Sequence, residues 1–239
     1  ENRTSNRPAL LDTNTLNEHM LFCGATGCGK TTAITNLVCQ VQRDHSNVHF
    51  LAIDPKDTLM PQDFLKGATV YVTRADSNAN MLRLQPFAVP NGISLSTHID
   101  RLSSLFQSCW SMSAAMPDIL RYRQCGWDLN HNIRINIPGM PEWPSFALLE
   151  TMTREVIQSG GFSQRTQADY EGALLTRLHT MSTNTCAQIF REEGAILFED
   201  LFDKDVIIHC HSLSGETLSL TMSLLLLQLN EFRSSVDHS

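Results

Sequence analysis

Residues 19–32 read HMLFCGATGCGKTT. Within them Gly24, Gly29, Lys30 and Thr31 stand in the order G-x-x-x-x-G-K-[ST], the pattern of a phosphate-binding loop. The residue types follow from the task. A glycine-rich backbone lets consecutive N–H groups converge on one phosphate, and a helix starting behind the loop adds the positive end of its dipole. Lys30 supplies a point charge for the β- and γ-phosphates, and the Thr31 hydroxyl is a ligand for a Mg²⁺ that keeps several of its waters. The expected contacts of ATP are Gly24, Ala25, Thr26, Gly27, Cys28, Gly29, Lys30, Thr31 and Thr32, with Lys30 in a catalytic role and Thr31 on the metal.

The flanks are read with the loop. Met20, Leu21, Phe22 and Cys23 form a short apolar run, the form of a buried strand, with His19 packing or capping at its start. Ile34, Leu37, Val38 and Val41 fall at i, i+3, i+4 and i+7, one face of a helix. Strand, glycine-rich turn and helix thus follow in the order such a loop needs.

At 239 residues and 42% hydrophobic, the chain suffices for one large α/β domain or one domain with an insertion. A formal net charge of -7 argues against binding nucleic acid through an overall field and leaves only local basic loops for that purpose. The seven cysteines (Cys23, Cys28, Cys39, Cys109, Cys125, Cys186, Cys210) contain no C-x-x-C pair. That disfavours a zinc site or disulfide framework and favours a reducing, cytoplasmic setting. The polar opening residues are no signal peptide. Leu218 to Leu229 is too short and too mixed, with Ser219, Thr221, Ser223 and Gln228, to span a bilayer, so a buried helix and no membrane partner are expected. The chain opens at Glu1 without Met and stops at VDHS, the form of a fragment.

Four regions are expected. Residues 1–17 read as a leading segment or linker, 18–94 as the first part of the core, 95–190 as a helical insertion, and 191–239 as the second part of the core. In the first part VHFLAI (48–53) is a strand ended by Asp54-Pro55, and 68–72 another, with a helical turn near 62–66 between them. Strand, helix, strand at this spacing indicates a right-handed βαβ unit in a parallel sheet. The insertion shows helical faces at 97–110 (Ile99, Leu102, Leu105, Phe106, Cys109), 118–124 behind Pro117, 145–158, and 164–181. DVIIHC (205–210) is a buried strand, and Ser214 starts a helix with Glu216 placed well for its dipole.

The loop together with IDPKD, about 24 residues after Lys30, resembles the FtsK–HerA superfamily of DNA-pumping motor ATPases. LRLQPFAVP (82–90), ALLTRL (173–178) and LFEDLFDKDVIIHCHSLSG (197–215) look like the HerA-type branch. The resemblance implies an α/β, RecA-like P-loop NTPase core with a mostly parallel sheet and a helical insertion. It implies ATP and Mg²⁺ as cofactors, a homo-hexameric ring, double-stranded DNA as partner, and a nuclease or other effector in DNA processing or phage defence. It offers Arg177, in ALLTRL, as an arginine for a neighbouring subunit's γ-phosphate, the alternative being a surface helix arginine. Asp54 could orient the water shell of Mg²⁺, or simply terminate its strand before Pro55. Arg101, Arg121, Arg123, Arg134 and Arg154 could face DNA phosphates or be solvated surface charges.

One departure stands out. Such motors carry an Asp-Glu pair at the end of a later strand, and no apolar run here ends in one. Glu199-Asp200 reads as a loop ahead of DVIIHC, so the pair is expected beyond Ser239 or is lost. The motor reading therefore stands beside an ATP-binding assembly scaffold with slow or absent hydrolysis.

Overall fold

The computed structural model describes residues 19–59, 67–74, 80–90, 92–110, 112, 116–119, 143–191, 193–196, 198–213 and 215–236. The chain divides into two compact units, Glu1–Val48 and His49–Ser239.

The first unit carries α1, Lys30–Asp44, the helix expected behind the loop. Its apolar face is only partly covered: Leu37, Val38 and Val41 are half-buried and Ile34 is exposed. Residues 20–23 depart from expectation, because they form no strand and Leu21 is 88% exposed. An apolar run signals burial, but only ladder hydrogen bonds to a neighbour make a strand, and these residues have none. His19 is likewise exposed and caps nothing. The leading segment, 1–17, lies outside the described residues.

The second unit is built on a four-stranded sheet in the order β1 (Leu51–Asp54), β4 (Val206–His209), β2 (Thr69–Val72), β3 (Asn80–Met81), parallel throughout. The sheet is parallel as expected, and β4 lies between β1 and β2. Val206, Ile207 and Ile208 are fully buried. Such a β-branched run suits a central parallel strand, which has no solvent face. Register brings Asp54 and Val72 level with His209 on either side, so the carboxyl ends of three strands form one edge.

Helices make up most of the rest of the described second unit. They are α2 (Leu95–Trp110), α3 (Phe146–Ser159), α4 (Gln164–Tyr170), a π-helical turn (Glu171–Leu175), α5 (Thr176–Ser182), α6 (Asn184–Ile189), α7 (Phe198–Phe202) and α8 (Gly215–Val236). Ser145 caps α3 by accepting from the Leu148 N–H, and Ser163 caps α4 by accepting from Thr166. The helix expected over 164–181 is therefore interrupted by the π turn. Helical segment and sheet share one core, in which Leu82, Phe106, Phe146, Leu174, Val206 and Leu220 belong to the same cluster. Phe146 sits at its centre, edge-on to Phe87 (5.1 Å) and Phe190 (5.0 Å).

Two further readings change. Glu199 and Asp200 belong to the short helix α7 and not to a loop. The helix around Leu218 to Leu229 runs longer, Gly215–Val236, and is not buried all round, since Leu226 is exposed. Behind Pro117 only 116–119 are described, and they are helical. The turn near 62–66 and residues Arg121, Arg123, Arg134 and Cys125 lie outside the described residues.

Candidate functional site

The loop between residue 24 and α1 is closed by its own backbone. The Cys28 N–H donates to the Ala25 carbonyl at 3.3 Å, and the chain enters α1 through Gly29, whose φ of 89° is left-handed. A side chain there would be strained, which accounts for glycine immediately before Lys30. At Gly24 two constraints meet: φ is 159°, a backbone that side chains rarely adopt, and a Cβ would lie 2.6 Å from Cys28 Sγ. Lys30 folds back over the turn, its Nζ donating to the carbonyls of Gly24 (2.8 Å) and Ala25 (2.7 Å) and lying 3.9 Å from Cys28 Sγ.

The start of α1 is open. Gly29 offers no capping side chain, and the first turn contains no acidic residue. The unpaired N–H groups of a helix N-terminus attract an anion most when nothing in the chain already caps them. Ala25, Thr26, Gly27, Thr31 and Thr32 are exposed around this opening. The donor set fits a polyphosphate: Lys30 and the loop amides would hold phosphate oxygens, and Thr31 would offer an oxygen to Mg²⁺. When bound, that metal would draw charge from the phosphate oxygens.

In the second unit, the carboxyl edge of the sheet carries a separate polar cluster. Asp54 is 5% exposed and accepts from the N–H groups of Lys56 (3.0 Å), Thr58 (2.6 Å) and Leu59 (2.7 Å). Burial pushes its carboxyl up, but the bonds from Leu59, Lys56 and Thr58, with His209 nearby, outweigh that and hold it below the ordinary carboxylate value. Both oxygens are thus engaged in organising the turn after β1. His209 Nε2 lies 2.9 Å from the Leu59 carbonyl oxygen, and the His211 N–H donates to Asp57 at 3.1 Å. Thr73, at the end of β2, is paired with Ser212 at 2.6 Å. Cys210 is buried here and its thiol is pushed up to about 11, by burial first and then by Asp57 and Asp54. His209, Thr73 and Ser212 were not singled out from sequence. Their one signal is position, at or just beyond the end of an apolar run.

Arg177 follows the π turn. Its Nε and Nη2 form a two-pronged pair with Glu216 on α8 (3.0 and 3.2 Å), and Nη1 donates to the Ala173 carbonyl at 3.0 Å. Arg177 draws the Glu216 carboxyl below its ordinary value, against a smaller effect of burial. Of the other arginines, Arg154 pairs along α3 with Glu150 at 3.2 Å, and Arg101 pairs with the fully buried Glu231 at 3.1 Å. Among the described residues no group of three or more His, Cys, Asp or Glu could hold a metal ion, and no helix is long and apolar enough to cross a membrane.

A parallel α/β sheet with its helices, together with this loop, defines the class: a P-loop ATPase fold. Residues 1–62, which contain both the loop and the turn after β1, match the model of the FtsK/SpoIIIE family. The fold is similar to the structure of VirB4 of Thermoanaerobacter pseudethanolicus, with a TM-score of 0.57 and 14% identity over 87% of this chain and 75% of that one. No curated protein matches. These findings support the FtsK–HerA superfamily resemblance.

Proposed function

We propose that the chain is the ATPase core of a DNA-translocating motor of the HerA-like kind, working as a homo-hexameric ring on double-stranded DNA. Its nucleotide-binding part is supported by the uncapped, acid-free N-terminus of α1 behind a loop that places Lys30 Nζ over two of its own carbonyls, and the motor class by the FtsK/SpoIIIE match over residues 1–62. Lys30 and the loop amides bind the phosphates of ATP, and Thr31 binds Mg²⁺. Asp54 acts through the turn it organises, since both of its oxygens accept from that turn. Arg177 serves a neighbouring copy and exchanges Glu216 for a phosphate when it does so. A nuclease or other effector, in DNA processing or phage defence, uses the motion.

One observation favours a second reading, an ATP-binding assembly scaffold. The described strands end at Asp54, Val72, Met81 and His209, and none carries an Asp-Glu pair. Steady-state ATP hydrolysis with and without double-stranded DNA separates the two. DNA-stimulated turnover supports the motor; tight nucleotide binding with no turnover in either condition supports the scaffold.

A further inference from the structure

The turn after β1 is held more firmly than a connection of its length requires. Residues 54–59, DPKDTL, are tied at both ends. Asp54 accepts from three of the turn's own N–H groups, and its carbonyl accepts from the Cys210 N–H at 2.9 Å. His209 engages the Leu59 carbonyl oxygen, and Asp57 accepts from the His211 N–H. Asp57 also holds a φ of 52°, a left-handed backbone uncommon for a residue other than glycine. Such a conformation persists where the surroundings over-determine it, and it points toward function.

The bonding leaves a simple remainder. Both acids of the turn are engaged with backbone N–H groups. The Lys56 side chain is exposed and, among the described residues, has no hydrogen-bond or ion-pair partner. His211, on the facing turn after β4, is exposed, and its N–H donates to Asp57. The location is the carboxyl edge of a parallel sheet, where open α/β sheets hold their ligands. A cation on a pre-organised mount loses little freedom on binding, and an ammonium is a point contact for phosphate.

We propose that Lys56 is a phosphate-contacting residue, with the DPKD turn presenting its ammonium to a phosphate group of a nucleic-acid backbone. The inference rests on the reading of the chain as a nucleotide-binding, DNA-handling ATPase, and its test keeps the two separable. A turn of purely structural value would place its cost on Asp54 and Asp57 and none on Lys56.

Lys56→Ala and Lys56→Arg are compared with the unchanged chain and with Lys30→Ala. One arm measures the affinity for Mg²⁺ with a slowly hydrolysed ATP analogue. The other measures the affinity for a labelled double-stranded oligonucleotide across a salt series. Lys56→Ala should weaken the DNA arm by about tenfold, the size of one charge-assisted contact, with an unchanged nucleotide arm, an unchanged thermal midpoint and recovery in Lys56→Arg. Loss confined to the nucleotide arm overturns the proposal. Loss in the DNA arm, with the slope of log K against log salt reduced by about 1, assigns the contact to the backbone. A Lys56→Ala variant unchanged in both arms overturns the proposal, as does an unchanged chain that binds neither probe. If Lys30→Ala keeps full nucleotide affinity, the loop reading fails by itself, and the DNA arm still decides Lys56.

Discussion

Glu231 lies on α8 with no exposed surface, and its removal should be among the most costly single changes in the second unit. Its Oε2 is 2.7 Å from His98 Nδ1 and its Oε1 accepts from Arg101 Nη1 at 3.1 Å, so one carboxylate ties α8 to two residues of α2. In Glu231→Ala the two partners respond differently. The Arg101 side chain is 37% exposed and can turn to water, whereas His98 is 1% exposed and its Nε2 already lacks a partner. His98 would then be buried with neither nitrogen satisfied. Breaking a buried pair from one side costs about 3–5 kcal/mol. For a chain of this size that lowers the thermal midpoint by roughly 6–20 °C, at about 2–4 °C per kcal/mol. Replacing both residues, as in His98→Leu with Glu231→Leu, removes the orphaned groups together and should recover much of the loss. Urea denaturation of the single and double variants measures this directly. A Glu231→Ala loss under about 1 kcal/mol, or a double variant worse than the single, would refute the reasoning.

Gly24→Ala should weaken nucleotide binding about 2- to 13-fold, the equivalent of the ~0.5–1.5 kcal/mol needed to drive Cys28 off its rotamer. The penalty should shrink in a Cys28→Ala background, which relieves the close approach but not the φ of 159°; an equal penalty there would contradict the 2.6 Å approach. Asp54 has a folded-state carboxyl below its ordinary value. Its contribution is therefore complete above about pH 3.9 and is lost as pH falls through the lower folded value. Asp54→Asn should destabilise the chain at neutral pH and flatten the acid limb of stability against pH, and superimposable limbs would rule this out. Arg177→Ala should leave nucleotide binding intact and lower hydrolysis in the assembled protein, while Glu216→Ala, which frees the arginine, should spare hydrolysis. Equal losses in both variants would mean that the pair serves only to join the π turn to α8.

Much of the fold was legible because its signals are local. The β-branched run ending at Ile208 reads as a central strand in either context, and the serines before α3 and α4 announce their helices by cap chemistry alone. The run at 20–23 carries the same kind of signal but forms no strand, since hydropathy reports a wish for burial and says nothing of the partner that supplies a ladder. The sheet order was hidden for a related reason. Strand β4 enters between β1 and β2 from about 140 residues further along the chain, and no local pattern encodes that pairing. The π turn at Glu171–Leu175 escaped as well, because one extra residue in a turn leaves the 3.6-residue pattern nearly intact.

The candidate site divides in the same way. The loop's residue types are dictated by backbone geometry that glycine alone permits, so Gly29 and Lys30 could be read directly. Asp54 could be flagged but not assigned, because Asp before Pro looks the same whether it faces a metal or folds back on its own amides. The ties to Glu231 and Glu216 could not be seen, since each joins residues that meet only after the helices pack.

The most direct test of the central claim is the thermal midpoint with and without Mg²⁺ and a slowly hydrolysed ATP analogue, for the unchanged chain and for Lys30→Ala. Ligand at about 100 times its dissociation constant should add about 2.7 kcal/mol to the folded state, and Lys30→Ala should abolish most of the resulting rise while keeping the ligand-free midpoint. A rise of equal size in both proteins would contradict the assignment of the loop as the nucleotide site.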